Sequence, residues 1–154
     1  DVQWVLHNAK SQDKIPAQVQ RGDKVVDLTL DLPAGWRHLD NISWRVSSWG
    51  LRRMATGGLL LEAVSDADRK QMNLAPDTMA LKVLHVGQFG PHAAAKNAGF
   101  QKGDLIVSFD GKTSPMRETD LLVYALQSHK PGDKVPVTVL RSGKRVNLTL
   151  PMQE

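Results

Sequence analysis

The 154-residue chain contains no cysteine. That removes disulfides, thiolate nucleophiles, iron–sulfur clusters and cysteine-ligated zinc from the chemistry open to this segment. Tyrosine occurs once and phenylalanine three times, and no apolar run approaches the ~20 residues that a bilayer-spanning helix requires. Asp1–Val5 lacks a basic start and an apolar stretch, so these residues do not read as a secretory leader. If residue 1 is internal to a longer protein, that observation says nothing about export. Neither sign of charge forms a block: 20 Lys and Arg against 16 Asp and Glu give a net charge of +4. The basic residues are dispersed, apart from Arg52-Arg53, and aromatic rings are not interleaved with them. A mixed, solvated surface is expected, with no nucleic-acid face and no membrane insertion.

Catalytic patterns are equally scarce. Ser47-Ser48-Trp49-Gly50 has neither a G-x-S-x-G elbow nor a G-x-S-G-G context. The histidines at 7, 38, 85, 92 and 129 are scattered, and His85 and His92 flank a Gly-rich turn at a spacing that does not recur in zinc sites. Glu62, Asp66 and Asp68 read as surface charges. No enzyme activity, metal or cofactor is expected.

What the chain does have is ordered punctuation. Pro91 opens a short helix over Pro91–Asn97, because its missing N–H and fixed φ suit a first helical turn. Small residues at 93, 94, 95 and 98 let that helix approach a sheet closely, and Gly99 is placed to end it. Gly103-Asp104 turns into the apolar run Leu105–Phe109, and Asp110-Gly111 is a hairpin turn signal. Leu81–Val86 reads as a strand. Ser65 is an N-cap for a helix reaching Met72. Thr119–Ser128 carries apolar residues at helical spacing. Beyond Lys130-Pro131-Gly132-Asp133-Lys134, two alternating strands flank the turn Arg141-Ser142-Gly143-Lys144.

The chain also repeats itself. Shifted so that Leu6 meets Leu126, it aligns without a gap: Lys10, Asp13, Pro16, Val19, Arg21, Lys24, Val26, Leu28 and Leu30 fall on Lys130, Asp133, Pro136, Val139, Arg141, Lys144, Val146, Leu148 and Leu150. The repeated unit is one helix and one hairpin.

These landmarks, from Gly57-Gly58-Leu59 through Gly90–Lys112 to the closing hairpin, resemble the PDZ domain of the HtrA/Deg-like bacterial type. The resemblance implies an α+β fold: a partly open β-sandwich or barrel of five to six strands with two helices. Residues 54–154 would form the complete domain and residues 1–32 the C-terminal part of an earlier one, a helix-hairpin half-repeat. It further implies a non-catalytic module of a larger, periplasmic or secreted protein that binds a peptide or protein C terminus by adding it as a strand. The alternative is a regulatory or scaffold PDZ segment with an occluded groove, attached to a serine protease or other enzymatic domain. In the family's pattern the terminal carboxylate sits in a nest of backbone N–H groups. Thr56, Gly57, Gly58 and Leu59 occupy that loop here, with Gly58 on the family's glycine and Gly57 in place of its usual bulky residue. Leu60 and Leu61 continue the groove strand, and Thr119, Leu122, Val123 and Leu126 supply the opposite wall.

Residues 33–53 hold Trp36, Trp44 and Trp49 among Arg37, Arg45, Arg52 and Arg53. Three such rings imply a packed linker, with cation–π pairs each worth about 0.5–1 kcal/mol. Val2, Val5, Leu6, Ile15, Val19, Val26, Leu28 and Leu30 form an apolar face whose covering half is missing from the repeat. The tryptophan-rich linker is expected to cover it; upstream residues or a homodimer through residues 1–30 are the alternatives.

Overall fold

The structure, a computed structural model, describes residues 1–38 and 48–154. It divides into two compact units, Asp1–Asn41 and Ile42–Glu154.

In the first unit, helix α1 (Val2–Asn8) starts at Asp1, whose carboxylate accepts the Gln3 amide at 2.9 Å. The Arg37 guanidinium closes its other end, donating to the Leu6, His7 and Ala9 carbonyls at 2.9, 3.0 and 2.8 Å. These are carbonyls at the end of the helix, where a cation also complements the helix dipole. Strands β1 (Lys14–Arg21) and β2 (Lys24–Asp31) pair antiparallel from Lys14↔Asp31 to Arg21↔Lys24. The expected apolar face is present and largely open: Val2, Val5, Val19, Leu28 and Leu30 are exposed. The linker does not cover it among the described residues. Trp36 is half-buried in a short 3-10 turn, Trp36–His38, with Arg37 4.4 Å over its ring. Trp49 belongs to the second unit, while Trp44 and Arg45 lie outside the described residues.

The second unit begins with helix α2 (Trp49–Thr56), which runs through the place where the sequence suggests the end of a linker. The Ser48 hydroxyl caps its start by accepting the Leu51 amide at 3.2 Å. Gly57, left-handed at φ 63°, ends it. Then follow β3 (Leu59–Ala63), α3 (Asp66–Gln71), β4 (Leu81–Val86), a 3-10 turn (Gly90–Ala93) leading into α4 (Ala94–Asn97), β5 (Leu105–Phe109), α5 (Glu118–Ser128), β6 (Lys134–Arg141) and β7 (Lys144–Pro151). The five strands form one antiparallel sheet in the order β3-β4-β5-β6-β7, so β3 and β7 are its edges. The fold is α+β, and the sheet does not close into a barrel.

Local chemistry explains most of these elements. Ser65 caps α3 by accepting the Asp68 amide at 3.1 Å. Asp110 and Gly111, at φ 52° and 75°, form the tight turn after β5, where few residues other than Gly, Asn and Asp sit comfortably. The β6–β7 register, Lys134↔Pro151 to Arg141↔Lys144, is the β1–β2 register moved along the chain by the repeat. Burial separates the copies: Leu150 is 0% exposed and its counterpart Leu30 47%. In the second unit Leu59, Leu61, Leu81, Val83, Ile106, Phe109, Leu121, Leu122, Ala125 and the inward residues of β6 and β7 make one core. Among its described residues the first unit has a helix and hairpin like α5–β6–β7 but no equivalent of β3–β5 to pack on them. Among the described residues no helix is long and apolar enough to cross a membrane.

Candidate functional site

Among the described residues strand β3 is paired on one side only, with β4, and a bulge falls between Leu60 and Leu61. Bulges concentrate at sheet edges and redirect backbone groups there. The Leu61 amide donates not to another strand but to Glu118 Oε1, at 2.9 Å. Glu118 opens α5, and its carboxylate is also gripped by Arg52 of α2: Nε to Oε1 at 2.9 Å and Nη2 to Oε2 at 2.8 Å. Both side chains are buried. One turn further along α2, the Thr56 hydroxyl lies 2.8 Å from the Arg52 carbonyl and 3.3 Å from that of Leu59. The free edge of β3 is therefore engaged by α2 and by the first residue of α5.

A planar guanidinium meeting a carboxylate with two parallel bonds is the strong form of this pairing. It is placed by two helix ends: Arg52 by the turn before the Gly57 stop, Glu118 by the first turn of α5. The Asp120 carboxylate fixes that first turn, accepting the Arg117 backbone N–H and the Arg117 Nε, both at 3.0 Å. Hydrogen bonding to Asp120 raises the Arg117 guanidinium above its ordinary range.

The loop residues singled out from sequence come together here, with their backbone groups committed. The Gly57 and Gly58 amides donate to the Arg53 and Arg52 carbonyls at 3.1 and 3.0 Å, closing α2. Their own carbonyls accept from Ala95 and Gly87 at 3.0 and 2.9 Å. A Cβ on Gly58 would lie 2.1 Å from the His92 carbonyl oxygen, and one on Gly57 2.8 Å from the Ala95 amide nitrogen. Close backbone approach demands glycine at both positions. Leu59 and Leu61 point into the core, and Leu60 is half-buried. On α5, Leu122 is core, Thr119 and Leu126 are half-buried, and Val123 is exposed. Val123 is the candidate wall residue most accessible to a ligand.

Arg52 and Glu118 were invisible to sequence reasoning, because a single Arg and a single Glu far apart carry no pattern. The apolar spacing placed the start of α5 at Thr119, one residue after Glu118. At the other end of α5, the Tyr124 hydroxyl donates to Asp110 Oδ2 at 2.5 Å, and His129 Nε2 lies 3.2 Å from the same oxygen. The Asp110 hydrogen bond is the largest influence holding the Tyr124 phenol above its ordinary range. Among the described residues no group of three or more His, Asp or Glu gathers to hold a metal.

The sequence profile of the PDZ domain family matches residues 59–152. The serine protease Do-like HtrA of Lactobacillus helveticus is 36% identical over 70 residues, which is 46% of this chain and 16% of that protein. The serine endoprotease DegS of Escherichia coli K12 is 34% identical over 76 residues, 48% of the chain and 20% of DegS. The periplasmic serine endoprotease DegP of the same organism is 35% identical over 69 residues, 45% of the chain and 14% of DegP. The chain thus matches only a small part of each. A solved structure of a variant of the HtrA-type protease AlgW with a decapeptide is similar in fold, at a TM-score of 0.52 and 19% identity over 91% of this chain and 40% of that one.

Proposed function

The chain belongs to the PDZ domain family, and from that premise we propose that it is a non-catalytic module that binds a peptide or protein C terminus by strand addition to β3. In this reading it works within a larger periplasmic or secreted protein that carries an HtrA-like protease or another enzymatic domain. The supporting observation is the state of the β3 edge. Among the described residues no strand pairs with it, as an acceptor for strand addition requires, yet its Leu61 amide is held by Glu118. In this reading the edge is gated: an incoming strand competes with Glu118 for the Leu61 amide, and Arg52 holds Glu118 in place. Val123, exposed on α5, offers it an apolar wall.

Fluorescence polarisation with peptide libraries bearing free or amidated C termini tests both parts, on the native chain and on an Arg52→Met/Glu118→Ala double variant. A gated groove binds free C termini at Kd values of about 10–100 µM in the double variant and at least ~10-fold more weakly in the native chain, since ~1.4 kcal/mol of competition suffices for that. Equal affinity in both removes the gate. No binding in either, with both proteins folded, removes peptide recognition and leaves the permanently occluded scaffold domain.

A further inference from the structure

We propose a second recognition surface, away from the β3 edge, that accepts an acidic peptide segment anchored by one aromatic or large apolar side chain. Phe89, in the loop after β4, is 84% exposed, and Trp49, at the start of α2, is 45% exposed. Between them lies a cavity of about 390 Å³ whose lining also includes His85, Gln88 and His92. Isolated exposed apolar residues need no explanation, but two large rings flanking one concavity form the kind of anchor pocket found at the centres of interfaces.

The walls are set in advance. Trp49 meets His85 edge-on at 5.3 Å between ring centres, with the Arg52 guanidinium 5.2 Å over its indole. The loop carrying Phe89 is tied on its near side: Gln88 Nε2 donates to the Val86 carbonyl at 2.6 Å, and Lys96 Nζ donates to Gln88 Oε1 at 2.8 Å. Gly90, at φ 54°, then begins the 3-10 turn, with Pro91 second in it. Phe89 is thus held outward, and a ligand finds the rings in place instead of ordering them.

Charge names the ligand. A second cavity of about 440 Å³ shares His85 and Gln88 with the first and extends it to Lys96 and Lys102. Among the described residues no carboxylate lines either cavity. An apolar side chain in the Trp49–Phe89 pocket therefore places its neighbours beside two lysines, where Asp and Glu are favoured and Lys and Arg repelled. A peptide fits better than a nucleic acid, because two lysines do not make the basic track that a phosphate backbone follows.

The test uses acetylated and amidated peptides, which lack the free C terminus that β3 would select. One is acidic with a single central phenylalanine; the others replace that phenylalanine by alanine or the acidic residues by lysine. The first peptide is expected to bind saturably in fluorescence polarisation and to shift the amide NMR signals of Trp49 and His85–Phe89. Replacing either its phenylalanine or its acidic residues should weaken it at least ~10-fold, a change equivalent to ~1.4 kcal/mol. Phe89→Ser and the Lys96→Glu/Lys102→Glu double variant, all surface changes, should lose binding by a similar factor. Val123→Glu, in the β3–α5 groove, should not. Equal binding of acidic and lysine peptides, or unchanged affinity in Phe89→Ser, overturns the proposal. So does saturable binding of an oligothymidine that depends on the same residues, which would make this a nucleic-acid site.

Discussion

Arg52 and Glu118 stand 66 positions apart in the chain and meet in a buried, two-armed ion pair whose carboxylate also accepts the Leu61 amide. The pair joins α2, α5 and the edge of the sheet, so its removal reads out stability and, in the proposed reading, access to β3. Arg52→Ala leaves a buried carboxylate without its cation and should destabilise the second unit by about 3–5 kcal/mol. Arg52→Met/Glu118→Ala removes both charges and leaves the Leu61 amide to find water, at about 1–3 kcal/mol. Urea unfolding measures both. A double variant less stable than the single one would show that the two residues are not coupled.

Gly58 and Gly103 have almost the same backbone, φ 93° and 92°, in different surroundings. A Cβ at Gly103 meets nothing within 4 Å, whereas at Gly58 it reaches the His92 carbonyl oxygen. Gly103→Ala should therefore cost only the left-handed strain, about 1–2 kcal/mol. Gly58→Ala should add displacement of the 3-10 turn that carries His92, for a total of about 4 kcal/mol or more, in the range reserved for severe packing lesions. Thermal melts of the two variants separate strain from collision, and equal losses would show that the turn yields without penalty.

The repeat supplies a matched pair. Leu150→Ala empties part of the core and should cost about 2–5 kcal/mol. Leu30→Ala, at the equivalent register position but exposed, should change the stability of the second unit by no more than about 0.5 kcal/mol. Hydrogen exchange should likewise protect β6–β7 amides far longer than those of β1–β2. Comparable protection in the two hairpins would mean that something covers the first.

Tyr124 is the chain's single tyrosine, so the ultraviolet absorbance of its phenolate can be followed without interference from another. Its hydrogen bond to Asp110 raises its pKa on folding. The contribution to stability is complete below the ordinary tyrosine value of about 10 and is lost as pH rises through the folded value. Native protein should thus titrate above the urea-unfolded chain, and Asp110→Asn should move the native midpoint down. A native midpoint at or below the unfolded one would contradict the hydrogen bond.

Sequence alone determined whatever rests on local backbone preference. Ser65 caps α3, Asp110-Gly111 turns after β5 and Gly99 follows α4, because each needs only its neighbours' conformations. The repeat, too, was legible, and the two hairpins fold in the same register because the same residues alternate on either side of a two-residue turn. Helix α2 was not: Gly50, paired arginines and flanking tryptophans resemble a linker, and its stability comes from packing on α5.

What only the tertiary structure decided are the relations between distant groups. It joined Arg52 to Glu118, gave both to the edge amide of Leu61, and brought His92 and Ala95 so near to Gly58 and Gly57 that no side chain fits. It set Phe89 outward beside Trp49. It also buried Leu150 while leaving Leu30 in water, although the two hold equivalent register positions in repeated hairpins. The physical reason is common to all of these: hydrogen-bond partners, close approach and burial depend on which elements stand opposite, and a strand's own residues do not contain that information.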